Sequence, residues 1–218
     1  MGCVPPEPGF LARARDLCTA HGAVLIFDEV MTGFRVALGG AQELYSVMPD
    51  MTTLGKVIGG GLPIGAFGGR REIMEHVAPV GSVYQAGTLS GNPIAVAGGL
   101  AMLRHLVSNP DLYGRIESSA ARIESGVLRA AQEAGVTLTS NRVGSMLTFF
   151  FTDRQVRDWD GAASCDTALF GRYFRAMLAR GIYLPCSQYE AAFVASCHGD
   201  SEVARITAAA SEVFHEIS

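Results

Sequence analysis

Ala23-Val24-Leu25-Ile26-Phe27-Asp28-Glu29 is an apolar run of strand length that stops on two carboxylates. A run that is apolar on both faces is the pattern of a strand inside a parallel sheet. The carboxyl end of such a strand is where α/β sheets place their ligands. Upstream, Phe10, Leu11, Ala14, Leu17 and Cys18 fall on one helical face between Pro8 and His21, and Gly22 supplies the stop. Downstream, Met51–Leu54 predicts a second strand that delivers Lys56 to the same sheet edge as Asp28. Ala66–Gly68 predicts a third strand, and Arg71–Val77 a short helix. The expected fold class is therefore α/β, with a partial, mostly parallel sheet.

Farther along, Asn92-Pro93 is a helix start, a capping residue followed by proline at the first helical position, and the helix is expected to reach about Val107. A long helix from Pro110 to Gly135 carries Leu112, Ile116, Ile123, Val127 and Ala131 on one stripe. The texture then changes. Val143–Phe151, Ile182–Leu184 and Ala192–Cys197 read as strands, Ser164–Arg180 as an amphipathic helix, and Asp200 as the cap of a last helix through Ile217. The expected division is residues 1–109, the later part of a large ligand-binding domain, and residues 110–218, a long connecting helix with a small α+β domain. A parallel strand ordinarily has an earlier strand and helix as partners, and none precedes Ala23. The sheet therefore reads as part of a larger one, with an unpaired edge.

Composition narrows the function. The chain has 218 residues, 49% of them hydrophobic and 17% charged, with 26 glycines and a net charge of −4. That excludes a disordered chain or a coiled coil, and nothing draws it to nucleic acid. Five cysteines without C-x-x-C spacing and five scattered histidines argue against a disulfide framework, a zinc ribbon or any metal site. Met1-Gly2-Cys3-Val4-Pro5-Pro6 lacks the basic and apolar regions of a secretory signal. The uncharged span Val77–Leu103 is too interrupted to cross a bilayer. A reduced, cytoplasmic protein without membrane partners is expected.

Among 17 basic residues there is a single lysine, Lys56, set in Leu54-Gly55-Lys56-Val57-Ile58-Gly59-Gly60-Gly61. Arginine cannot lose its proton, whereas a neutral lysine amine attacks carbonyls. The apolar surroundings suit a reactive amine; the plain alternative is a surface lysine that survived an arginine bias. The glycines do not form a phosphate loop, because Asp50 and Val57 stand where that motif needs glycine and a hydroxyl. A dinucleotide fingerprint from Gly59 fails at Ile64. What fits is a Schiff-base lysine with an acidic partner, Asp28, of the kind pyridoxal phosphate (PLP) chemistry needs against the pyridine nitrogen. Taken alone, Asp28 reads equally as a strand-end residue capping a turn. Glu29 points the other way and reads as structural.

Leu25-Ile26-Phe27-Asp28-Glu29-Val30-Met31-Thr32-Gly33-Phe34-Arg35 and Leu54-Gly55-Lys56-Val57-Ile58-Gly59-Gly60-Gly61-Leu62-Pro63-Ile64-Gly65-Ala66 together resemble the class III aminotransferases of PLP fold type I. Met31, Tyr84-Gln85-Ala86-Gly87-Thr88-Leu89-Ser90-Gly91-Asn92-Pro93 and Tyr183-Leu184-Pro185-Cys186-Ser187-Gln188-Tyr189-Glu190-Ala191 are similar to that family's aminomutase branch. The resemblance runs nearly end to end but corresponds to the C-terminal half of the family's length. It implies that Lys56 is the Schiff-base lysine and proton shuttle, that Asp28 pairs with the pyridinium nitrogen and that Val30 packs on a ring face. It also implies that Gly87 and Thr88 donate to the phosphate of a neighbouring subunit's cofactor, hence a homodimer. Without the resemblance, Gly87–Pro93 is only a loop before a capped helix. Glu190 stands where related enzymes place an arginine for a substrate carboxylate, an acid that discourages α-amino-acid donors; its plain reading is a surface glutamate beside a strand. The implied activity is conversion of glutamate 1-semialdehyde to 5-aminolevulinate for tetrapyrrole synthesis, through the PLP and pyridoxamine phosphate forms. The alternatives are a transaminase with separate amine and keto-acid substrates, and a non-catalytic fragment. Because the family's ring-stacking half is absent from these residues, the 218-residue chain alone is expected to be a poor catalyst.

Overall fold

In the computed structural model, which describes residues 1–218, the apolar run forms β1 (Ile26–Glu29), preceded by α1 (Phe10–Ala20). β2 (Met51–Gly55) lies parallel to it, with Asp28 opposite Thr53 and Glu29 opposite Leu54. β3 (Gly65–Gly69) pairs antiparallel on the other side of β2. The order β1-β2-β3 makes this sheet mixed rather than mostly parallel, with β2 at its centre. β1 is thus an edge, and Val24 and Ile26 are 51% and 53% exposed. In this chain β1 has one strand neighbour and those side chains meet no covering layer, the unpaired edge expected of a sheet that is part of a larger one.

α2 (Gly40–Leu44), α3 (Arg71–Met74) and α4 (Pro93–Ser108) complete the unit Pro8–Pro110. α4 begins as its sequence predicts: Asn92 Oδ1 accepts the backbone N–H of Ile94 at 3.0 Å and of Ala95 at 3.2 Å. Arg71–Val77 shortens to the single turn of α3.

Asp50 ties the amino end of this sheet together. Its carboxylate accepts Leu25 N–H at 2.7 Å, Arg15 Nη1 at 2.8 Å and Arg70 Nη1 at 3.0 Å, joining α1, the approach to β1 and the exit from β3. The Leu25 N–H above all, then the two guanidinium groups, hold the acid down at about 2. The folded value lies below the roughly 3.9 of an unfolded aspartate, so its stabilisation is present above about pH 4 and is lost as pH falls through 2. Urea midpoints measured across that window should fall in the wild type. Asp50→Asn should be less stable at neutral pH and should lose part of the acid sensitivity; an unaltered acid profile would contradict this role.

The second unit joins Met1–Glu7 to Asp111–Ser218. The first seven residues therefore group here, not with residues 8–110 as expected: Gly2 N–H donates to Tyr189 O at 2.7 Å and Cys3 N–H to Thr148 Oγ1 at 2.8 Å. The long helix is α5 (Leu112–Glu133), burying Leu112, Ala120, Ile123, Val127, Ala130 and Ala131. Where one strand was expected over Val143–Phe151, the chain makes a hairpin, β4 (Thr139–Val143) and β5 (Met146–Phe150), turning at Gly144 with φ 56°. β4 escapes an apolar pattern because its polar residues are paired within the fold. Asn141 Nδ2 donates to Val156 O, and Arg142 is held by Glu124 and Glu117.

α6 (Trp159–Ala163) and α7 (Thr167–Ala179) follow, and Asp166 Oδ1 caps α7 by accepting Leu169 N–H at 2.8 Å. Ile182–Leu184 is not a strand: Ile182 N–H returns to Met177 O, closing the exit from α7. Only Ala192–Phe193 of the expected Ala192–Cys197 strand pairs, as β6 against β5. α8 (Asp200–Ile217) is capped at Gly199, whose N–H donates to Glu202 Oε2 at 3.0 Å, and not by Asp200, which pairs with Arg122. Between α5, α7 and α8 lies an aromatic core. Tyr173 stacks on Phe214 with ring centroids 4.9 Å apart, and Phe151 packs on both.

All five cysteines are free thiols. Burial pushes the Cys3 thiol up to about 11 and raises Cys165, whereas Cys186 and Cys197 are exposed. A thiol reagent at neutral pH should label Cys186 and Cys197 first and reach Cys3 and Cys165 only on unfolding. Peptide mapping of the labelled chain checks this, and early labelling of Cys3 would contradict the burial described.

Candidate active site

The parallel register of β1 and β2 brings both candidate groups to one sheet edge. Asp28 stands opposite Thr53, and Lys56 follows the end of β2 by one residue. Asp28 Oδ1 accepts Val30 N–H at 3.0 Å and Thr53 Oγ1–H at 3.1 Å, so the carboxylate is fixed by its own turn and by the neighbouring strand. It therefore caps a turn, as its plain reading expects. Thr53 was not singled out from sequence; its signal was the strand register, which places a hydroxyl beside the acid.

Lys56 opens a 3-10 turn, Lys56–Gly59, at φ 48°, a left-handed conformation uncommon for a residue with a side chain. Such a backbone persists only where its surroundings hold it, and it is frequent at functional positions. The amine is exposed, with Nζ 3.8 Å from Met31 Sδ. The expected apolar enclosure is therefore only partial in this chain. Ile58 and Gly59 are buried within the turn, while Lys56 is exposed and lines an open cavity.

That cavity, about 940 Å³, is lined by Val30, Gly55, Lys56, Leu62, Gly87 and Asn92 among others. Val30, Lys56 and Gly87 thus border one space. Asp28 and Thr88 lie beside those residues in the chain, exposed, and do not line it. Leu62 and Leu89 line it without having been singled out, since loop residues give no periodic signal, and Asn92 lines it besides capping the helix expected of it. Glu190 belongs to the other unit, on the exposed rim of a cavity of about 410 Å³ that also touches Tyr173, Gln188 and Arg205. No group of histidine, cysteine or carboxylate side chains is arranged to hold a metal. An amine and an orienting carboxylate at one strand edge, beside an open cavity, can hold a carbonyl compound and move protons next to it.

Glu29, one residue from Asp28, turns away and is buried. Its carboxylate accepts Ala41 N–H at 2.7 Å, Thr32 Oγ1–H at 2.8 Å and Gln42 N–H at 2.9 Å. This is the structural part that the sequence assigned to it.

Residues 1–197 match the family described as Aminotransferase class-III. The chain is 56% identical over 214 residues to a glutamate-1-semialdehyde 2,1-aminomutase of Pelotomaculum thermopropionicum, covering 98% of this chain and 49% of that relative. It superposes on an omega-transaminase of Sphaerobacter thermophilus with a TM-score of 0.91 and 32% identity, over 99% of this chain and 49% of that one. A transaminase solved with PLP bound matches at a TM-score of 0.84 and 29% identity, over 98% and 49%. The chain spans about half the length of the relatives it matches.

Proposed function

The chain belongs to the class III aminotransferase family, and from that premise we propose that the protein containing it is a PLP-dependent aminomutase that converts glutamate 1-semialdehyde to 5-aminolevulinate. The observation that carries the reading is that parallel strands bring the single lysine and a fixed carboxylate to the same sheet edge, the lysine bordering a cavity of about 940 Å³. That volume lies in the range of ordinary cofactor sites. The 56% identity to an aminomutase supports this branch of the family, and a PLP-bound transaminase among the structural neighbours supports the cofactor.

When bound, PLP supplies an electron sink for the substrate carbon, and its pyridoxamine form supplies the amine. The chain's own residues do the rest. Lys56 Nζ would hold the cofactor and, as the neutral amine, would carry a proton at the reacting carbon. Asp28 keeps the pyridine nitrogen protonated, and the Thr53 hydroxyl and Val30 N–H keep that carboxylate oriented. Val30, which lines the cavity, would supply an apolar contact for the ring. Gly87 and Thr88 donate to the phosphate of a second subunit's cofactor in a homodimer. Glu190 disfavours substrates bearing an α-carboxylate. No helix is long and apolar enough to cross a membrane, and we place the enzyme in the cytoplasm, with a small molecule as its substrate.

An omega-transaminase among the neighbours at 32% identity favours a second reading, transfer between separate amine and keto-acid substrates. The experiment supplies the complete protein with glutamate 1-semialdehyde and no external keto acid. Formation of 5-aminolevulinate is expected. Turnover only when a keto acid is added would establish the second reading, and none under either condition would contradict the aminomutase reading.

A further inference from the structure

The turn that carries Lys56 rests on α4 through backbone rather than side chains. A methyl group at Gly99 would overlap the carbonyl oxygen of Ile58, and one at Gly60 would overlap that of Gly98. At Gly98 a methyl group would stand 2.8 Å from Leu62 Cδ1 and 3.2 Å from Gly59 O. Gly60 is also left-handed, at φ 58°. Ile58, Gly59 and Gly99 are buried in this seam.

The same helix starts at Asn92, directly after the Gly87–Gly91 loop, and Lys56, Gly87 and Asn92 border one cavity. α4 is therefore the rigid element joining the two walls of that cavity. Lys56 itself keeps a left-handed backbone that nothing in its own side chain favours, so its neighbours must hold it there.

We infer that Gly98 and Gly99 are positioning residues for Lys56. By lacking side chains they let α4 and the lysine's turn meet backbone to backbone, and that contact sets where the amine stands relative to the 87–92 loop. The inference rests on the proposed reading of Lys56 as the reactive amine, but its test has a readout of its own.

Because Lys56 is the only lysine, ¹³C reductive methylation gives a single lysine side-chain resonance from the 218-residue chain. Gly99→Ala should move that resonance and speed amide exchange over residues 56–62. Alanine is the better helix former, so loss of α4 itself would not be the cause. Gly114→Ala, where nothing lies within 4 Å on α5, should change neither signal.

Gly98→Ala covers the case in which Gly99→Ala does not fold. Its methyl group chiefly meets the end of the Leu62 side chain, which can move aside. A smaller displacement of the Lys56 resonance is expected, partly reversed in the Gly98→Ala/Leu62→Ala double variant. Fixation of a pyridoxyl group on Lys56 by PLP and borohydride should slow by up to about 10²-fold in Gly99→Ala, the scale of a displacement of about 1 Å at a reacting group. A folded Gly99→Ala or Gly98→Ala variant with the wild-type resonance and exchange pattern would overturn the inference. If instead the wild type takes up no pyridoxyl group while Gly99→Ala still moves the resonance, the reading of Lys56 fails and the seam stands.

Discussion

Glu29→Ala is expected to unfold the region around α2, lowering the stability of the Pro8–Pro110 unit by about 3 kcal/mol or more. The wild-type carboxylate is 1% exposed and takes the N–H groups of Ala41 and Gln42 at the start of α2, the Thr32 hydroxyl and the Gln42 amide. Removing it leaves two backbone donors without a partner, and each buried, unsatisfied polar group costs about 1–3 kcal/mol. Glu29→Gln keeps the shape but turns an amide NH₂ toward donors, so its loss should fall between wild type and alanine. Gly40 belongs to the same construction: at φ 71°, a methyl group there would overlap the Glu29 carboxylate. Amide exchange over residues 40–44 is the measurement, because the only tryptophan, Trp159, lies in the other unit. Wild-type protection in Glu29→Ala would contradict the assignment.

Lys56→Ala carries the largest effect expected on activity. In the complete protein, loss of the amine proposed to carry the proton should lower 5-aminolevulinate formation by about 10²–10⁴-fold. Lys56→Arg should not restore it, because a guanidinium keeps its proton at any working pH. Folding should survive both changes, since the amine is exposed and its recorded contact is the weak one with Met31 Sδ. Lys56→Gly should even stabilise the chain, by roughly 1 kcal/mol, through relief of the left-handed backbone. A lysine that raises activity while straining its own backbone has been placed for chemistry. Undiminished turnover in Lys56→Ala would end that reading.

The parts of this site legible from sequence were those that strand ends dictate. An apolar run ending in Asp28, and a second run ending just before Lys56, can share one edge only if the strands are parallel, and they are. The capped start of α4 at Asn92 and the apolar stripe of α5 were equally local. What escaped depends on neighbours in space. The exposure of β1 was legible only in part: an unpaired edge was expected, but the apolar run does not by itself state that β1 is the strand that forms it. β4 was hidden since Asn141 and Arg142 are polar residues whose partners, Val156 and Glu124, are distant in sequence. Ile182–Leu184 has strand composition but no strand to pair with. Glycines 98 and 99 look like poor helix formers until the carbonyl of Ile58 is found against them.

The most direct measurement is made on the 218-residue chain mixed with PLP, reduced with borohydride, digested and weighed. The account predicts one pyridoxyl group, found on the peptide that contains Lys56 and missing from Lys56→Ala. A pyridoxyl group found only on the N-terminal amine of Met1, with Lys56 unmodified, would contradict it.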